Sequence, residues 1–285
     1  MGLMQVAALL CSLTILSFTS LSNSLSSNYY HKSCPKVESI VAKVVSDATS
    51  RDRTVPAALL RMHFHDCFIR AQKRAVEAVC PGIVSCADIL AFAARDSVVL
   101  SGGPRWDVPK GRKDGRTSRA TETALLPSPA FNISQLQKSF SLRGLSLHDL
   151  VALTGAHTLG FSHCSSFQNR IHNFNSTHDV DPTLRPSFAA SLKSICPIKN
   201  KAKNAGITMD PSSTTFDNTH YKLILQRKTL FSSDQALLTT PYTKTLVYKF
   251  ATSKKAFHTA FAKSMIKLSS INGGQEVRRD CRFVN

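Results

Sequence analysis

Apolar residues recur at helical spacing along most of the chain. Val37, Ile40, Val41, Val44, Val45 and Ala48 follow the i, i+3, i+4, i+7, i+8 order of an amphipathic helix. A second helix is predicted to begin near Pro56, with Thr54 as a nearby cap, and to carry Ala57 to Arg70 without a glycine. A third spans Cys86 to Leu100 and is closed by Ser101-Gly102-Gly103-Pro104. From Pro104 to Pro129 the chain is rich in Gly, Pro, Arg and Lys and reads as a long surface loop. Helices resume at Ser134 to Leu142 and at Ser146 to Thr154, the latter opened by a Ser146-x-x-Asp149 capping box and stopped near Gly155. Further helical stretches fit Ser187 to Ile195, Asp217 to Gln226, Tyr242 to Ala251 and Lys254 to Ser269. Strand signals are scarce, so the fold class is mainly α.

Length and composition bound this picture without changing it. With 285 residues, 42% of them hydrophobic, the chain has material for one or two compact domains. Ordinary Gly and Pro counts and the lack of a repeat period exclude collagen, solenoid and propeller architectures. The N-terminus does change the picture: no charged residue precedes Lys32, and Val6 to Phe18 is mostly apolar but interrupted by Ser12, Thr14 and Ser17. This is the shape of a signal peptide rather than a spanning helix, with cleavage expected after Ser24. Residues 1–24 are therefore expected to be removed and the mature domain to cover 25–285. No later stretch is long and apolar enough to span a bilayer, so the reading is a soluble, secreted protein. The sequons Asn132-Ile133-Ser134 and Asn175-Ser176-Thr177 are then usable for N-glycosylation.

Cleavage removes Cys11 and leaves Cys34, Cys67, Cys80, Cys86, Cys164, Cys196 and Cys281. Their wide dispersion in an oxidising compartment argues for cross-links over a zinc cluster, and the odd count leaves at least one unpaired.

Candidate chemistry concentrates in two places. In Arg61-Met62-His63-Phe64-His65-Asp66-Cys67-Phe68, Arg61 and His65 lie one helical turn apart on one face. They offer a fixed cation and a proton acceptor to one small substrate, with Phe64 keeping water away. Taken alone, such a histidine also suits a partly polar helix boundary. A metallohydrolase reading fails because Asp66 directly follows His65. In Leu153-Thr154-Gly155-Ala156-His157-Thr158-Leu159-Gly160, a histidine follows the glycine that ends a helix. It has a free ring nitrogen for a metal or haem iron, and Thr158 can offer oxygen to a cation.

In combination, the sequence strongly resembles the secreted plant haem peroxidases (class III). The matching blocks are Tyr30-x-x-Ser33-Cys34-Pro35, Leu60 to Phe68, Val84-Ser85-Cys86-Ala87-Asp88-Ile89-Leu90 and Gly155 to Gly160. They continue through Thr215-Phe216-Asp217-Asn218, Ser233-Asp234-Gln235-Ala236-Leu237-Leu238 and Asp280-Cys281-Arg282. The likeness runs in order from about Tyr29 to Asn285. It implies two helical halves, about 25–130 (distal) and about 131–285 (proximal), enclosing haem b, and a monomer. It implies His157 as the proximal haem ligand, Asp234 as the carboxylate accepting its other ring proton, and Phe64 at the haem. His65 would move the proton of hydrogen peroxide, Arg61 would stabilise the departing oxygen, and Pro127 would mark the site for phenolic donors. A proximal calcium site would use Thr158, Asp210, Ser213 and Asp217, although the spacing also permits Ser212 or Thr214. By the same likeness Cys34 pairs with Cys80, Cys86 with Cys281, and Cys164 with Cys196.

One departure matters. After Ile69-Arg70 the sequence passes directly to Ala71-Gln72-Lys73-Arg74-Ala75 and reaches Cys80. The family places several tens of residues there. Missing are a Gly-Cys-Asp segment completing a distal calcium site, a partner for Cys67, and the asparagine that accepts a hydrogen bond from the distal histidine. Of the distal calcium ligands only Asp66 and the Ile69 carbonyl remain, too few to hold calcium tightly. No Gly or Pro occurs between Pro56 and Pro81, so the distal helix is free to run on, which would carry Cys80 away from Cys34.

Three readings follow: a working or weakened peroxidase, a folded but catalytically poor haem or cell-wall polysaccharide binding protein, and the non-folding product of a misread gene. The balance of 36 Lys+Arg against 18 Asp+Glu, net +18, favours polyanions. The basic residues lack interleaved stacking aromatics, so nucleic acid is not the expected partner and acidic cell-wall polysaccharide is. The expected place is extracellular, in cell wall or apoplast, or vacuolar.

Overall fold

The computed structural model describes residues 25–65, 70–117, 126–198, 205–271 and 274–285, with residues 64, 65 and 70–72 described by backbone alone. Residues 1–24, read above as a signal peptide, lie outside the described residues. The predicted helices appear in order, with α3, α7 and α10 in addition: α1 (Val37–Arg51), α2 (Val55–His65), α3 (Arg70–Glu77), α4 (Cys86–Leu100), α5 (Ile133–Ser141), α6 (Leu147–Thr154), α7 (Gln168–Ile171), α8 (Pro186–Ile195), α9 (Thr219–Leu225), α10 (Ser232–Gln235), α11 (Pro241–Thr252) and α12 (Lys254–Ser269). Two three-residue strands, β1 (Phe161–His163) and β2 (Gly206–Thr208), pair antiparallel with Phe161 opposite Thr208 and His163 opposite Gly206. No helix among the described residues is long and apolar enough to cross a membrane.

The first half packs α1, α2 and α3 around α4; the second packs α6, α9 and α11 with α12. Helix α4 is buried on nearly every side, from Cys86 to Val98. A helix so enclosed needs its terminal N–H groups satisfied from within the protein. Ser85 accepts from Asp88 N, and the Asp114 carboxylate takes Cys86 N at 3.1 Å and Ala87 N at 2.9 Å. One apolar core joins the two halves, and a smaller one gathers Phe167, Ile171, Leu192, Met209 and Leu230 around the Cys164–Cys196 disulfide.

The segment after Pro104 is not the surface loop its composition suggests. It lacks regular structure, yet Trp106, Val108, Arg112 and Asp114 are buried. The reason is pairing: Arg112 meets Asp88 at 2.8 Å, and Asp114 holds both the start of α4 and Arg278 N at 2.9 Å. The helix expected to reach Arg70 is seen over Val55–His65, and helix is again assigned over Arg70–Glu77; whether the two are continuous falls on 66–69, outside the described residues. The feared displacement does not occur, because Cys34 and Cys80 are joined. Cys86–Cys281 and Cys164–Cys196 complete the three pairs that the resemblance implied.

The capping box opens α6 as its sequence predicts. Ser146 accepts from Asp149 N at 3.2 Å, and the Asp149 carboxylate accepts from Ser146 N at 2.9 Å. Burial opposes ionisation of Asp149, but hydrogen bonds from Ser146, Lys267 and Ser264 outweigh it and hold the carboxyl at about 2. A depressed carboxyl stabilises the fold above its ordinary range, and that contribution disappears as the pH falls toward 2. Ser146→Ala is expected to cost about 1 kcal/mol, read as a lower midpoint in thermal unfolding.

Candidate active site

The site is built where α6 stops. Gly155 permits this, since a Cβ there would lie 2.3 Å from the Phe257 ring and 2.5 Å from the Tyr221 hydroxyl. Tyr221 donates to the Val151 carbonyl at 2.8 Å and pins the helix end. The chain tightens into a 3-10 turn, Gly155–Thr158, which carries His157 and Thr158.

His157 Nδ1 lies 2.8 Å from Asp234 Oδ1 on α10, across 77 residues. The ring stands edge-on to Phe231 at 5.3 Å and to His220 at 5.6 Å. The His157 side chain is 38% exposed while Asp234 is buried, so one ring nitrogen is held from behind and the other is left to an incoming ligand. Burial alone would raise the Asp234 carboxyl, but the two imidazoles, the hydrogen bond and Arg170 bring it below its ordinary value. His157, His220 and Asp234 are the group of potential metal ligands that converge among the described residues. Sequence reasoning missed His220, whose only signal was its place in Asp217-Asn218-Thr219-His220. Burial, reinforced by His157 and opposed by Asp234, brings the His220 imidazole down to about 4.

The β1–β2 pairing sets a second cluster beside the first. Thr158 precedes β1 and Asp210 follows β2, so pairing Phe161 with Thr208 brings the two together. The Thr158 hydroxyl lies 2.6 Å from Asp210 Oδ2 and 3.3 Å from Asp217 Oδ1. Gly160, at φ +97°, donates to the Ser213 carbonyl and accepts from Met209 N, closing the loop. Ser213 thus spends its carbonyl on Gly160, whereas Ser212 turns its N–H (2.8 Å) and hydroxyl (3.1 Å) to Asp210 Oδ1. Burial and the adjacent Asp217 carboxylate push Asp210 up. Hydrogen bonds, led by the Thr219 N–H, bring Asp217 down despite its burial. Helix α9 begins at Thr219 rather than Asp217, which leaves that carboxylate free to face Thr158.

Helix α2 abuts this loop, since a Cβ at Gly160 would lie 3.0 Å from that of Ala57. Arg61 follows one turn later and is exposed. His65 ends the helix two turns beyond Ala57; the side chains of His65 and Phe64 lie outside the described residues, as do Asp66 and Ile69. His63 belongs to a different surrounding: burial, and then Arg112, bring its imidazole down to about 4. Pro127 is half-buried.

Relatives decide the family. Its profile, described as Peroxidase, matches residues 68–253, a span that holds His157, Asp210, Asp217 and Asp234 but not Arg61 or His65. Peroxidase 64 of Arabidopsis thaliana is 56% identical, over 91% of this chain and 93% of its own length. Peroxidase 66 of the same plant is 48% identical, over 92% of each chain, and Peroxidase 5 of Vitis vinifera 41%, over 90% of each. The chain belongs to the peroxidase family.

As a member, it is a haem peroxidase that uses hydrogen peroxide and a reducing donor, with haem b and calcium as the family's cofactors. The peroxidase's own residues fit both groups. A half-exposed imidazole backed by a buried carboxylate is a strong iron ligand. Two carboxylates facing one buried hydroxyl, with no ion pair to either among the described residues, form an oxygen set suited to calcium.

Proposed function

We propose that this peroxidase oxidises small phenolic donors, two for each hydrogen peroxide consumed, with His157 as iron ligand and with His65 and Arg61 serving the peroxide. The His157–Asp234 pair at 2.8 Å carries the reading. Haem, when bound, supplies the redox centre that peroxide oxidises by two electrons and that each donor restores by one. Asp234 fixes the proton of His157 on Nδ1 and leaves the other nitrogen as a lone-pair donor. His65 takes a proton from peroxide and returns it to the oxygen that leaves as water, while Arg61 balances the negative charge on that oxygen. Pro127 and Phe64 are assigned to donor contact and to excluding water beside the haem.

The shortened distal segment weakens this machinery. The alignment with Peroxidase 64 runs over 294 positions, more than the 285 residues of this chain, so the relative carries residues that have no counterpart here. That length difference supports the loss of a segment after Arg70, and with it the acceptor that would fix the His65 tautomer. Haem reconstitution of the full chain, followed by oxidation of a simple phenol with peroxide, tests the reading. A Soret band with peroxide-dependent oxidation supports it. A Soret band without oxidation favours a haem-binding protein of poor catalytic power, and no Soret band refutes the haem assignment.

Calcium is assigned to Thr158, Asp210 and Asp217, with Ser212 preferred over Ser213 because its hydroxyl meets Asp210. An ion at 100 times its Kd stabilises by about 2.7 kcal/mol, or roughly 5–10 °C in a domain of this size. EGTA is expected to lower the unfolding temperature by that much, and Asp217→Ala to remove the sensitivity. Secretion, cleavage after Ser24, monomeric state and glycosylation at the exposed Asn132 and Asn175 belong to the same reading. The net charge of +18 supports acidic cell-wall polysaccharide as a reversible partner, eluted by salt.

A further inference from the structure

His220 lies beside the iron-ligand pair without taking part in the chemistry described above. Its side chain is 1% exposed, and its Nε2 is buried with no hydrogen-bond partner. That nitrogen sits 3.7 Å from Asp234 Oδ1, the oxygen that already meets His157 Nδ1 at 2.8 Å. The second oxygen of Asp234, Oδ2, is also buried and has no partner. The two imidazoles stand edge-to-face at 89°. An unpaired ring nitrogen is costly in such a place, and a carboxylate is the acceptor within reach. A shift of about 0.5 Å brings Nε2 within hydrogen-bond distance.

Resting on the assignment of His157 as haem ligand, we propose that His220 is a positioning residue that shares the Asp234 carboxylate with His157 and so limits the negative charge His157 passes to the iron. The reasoning is electrostatic. A carboxylate that accepts from one imidazole polarises it strongly, and a second donor to the same carboxylate lowers its basicity. The His157 ring then has less anionic character, and oxidised iron is favoured less than it would be by Asp234 acting on His157 alone. His220 carries its proton on Nε2, facing Asp234, and acts only through that carboxylate.

The test compares His220→Phe, which removes the donor, with His220→Gln, which keeps an N–H at similar reach, in the haem-loaded full chain. The readouts are the Fe(III)/Fe(II) midpoint potential and the iron–histidine stretch in the ferrous form. His220→Phe is expected to favour oxidised iron by about tenfold, a fall of 59 mV for one electron, and to raise the stretching frequency; His220→Gln stays near the parent. In an Asp234→Asn background, His220→Phe is expected to shift nothing. An unchanged potential in His220→Phe with haem bound overturns the proposal, as does a shift that survives in the Asp234→Asn background. Nitrogen-15 shifts of the histidines in the haem-free parent chain provide an independent check. A proton on Nε2 of His220 supports the proposal, and one on Nδ1 overturns it even if the variants fail to fold. A parent chain that takes up no haem refutes the functional reading instead, and the nitrogen shifts still decide the place of His220.

Discussion

His65→Ala is expected to slow peroxide consumption by roughly 10²–10⁴-fold while leaving the haem absorbance in place. The prediction rests on what the chain places where. Helix α2 leaves its contact with Gly160 at Ala57 and ends at His65, with Arg61 exposed between them. His65 is the histidine of this helix assigned to proton transfer; His63 is held neutral among buried groups near Arg112. Stopped-flow measurement of the second-order rate with peroxide checks the effect. The low end of the range is expected on the proposed loss of the asparagine acceptor that would hold the His65 tautomer. A parent rate already equal to that of His65→Ala would mean that His65 does not transfer the proton in this chain.

Asp88→Ala is the largest expected loss of stability. Asp88 is fully buried and accepts from the Tyr30 hydroxyl at 2.7 Å, Gly111 N at 2.7 Å, Arg112 Nη1 at 2.8 Å and Arg112 N at 3.3 Å. Burial and the adjacent carboxylate raise the Tyr30 hydroxyl far above its ordinary value, so it remains a neutral donor. Removing the carboxylate leaves Arg112 buried as an uncompensated charge, at a cost of about 3–5 kcal/mol. In a domain of this size that corresponds to a fall of roughly 6–20 °C in unfolding temperature. Circular dichroism of the intact chain measures it. Asp88→Leu combined with Arg112→Leu should recover much of the loss, because the cost lies in the unpaired charge rather than in the absent ion pair. If both variants unfold alike, the burial of Arg112 is not what Asp88 compensates.

Elements governed by a few neighbouring residues were legible in the sequence. The limits of Cys86–Leu100 and Lys254–Ser269, and the capping box at Ser146, follow from periodicity and local hydrogen bonding, which act within one or two turns. The candidate histidines His65 and His157 were picked out by the short motifs around them, and the structure brings His157 to Asp234. Composition misled between Pro104 and Asp114, because a charged residue is buried only when its partner is present, and the partners Asp88 and Cys86 lie elsewhere in the chain.

The sequence by itself therefore determined most of the helices and the residue types suited to an iron and a calcium site. Only the tertiary structure decided which of these groups meet. Two three-residue strands carry Thr158 to Asp210 across 52 residues, and α10 brings Asp234 to His157 across 77. It alone placed His220 at that carboxylate and turned Ser212, rather than Ser213, toward Asp210. The physical reason is range: helix propensity and capping are settled by near neighbours, whereas the pairing of buried charges is settled by packing between segments that the linear order keeps far apart.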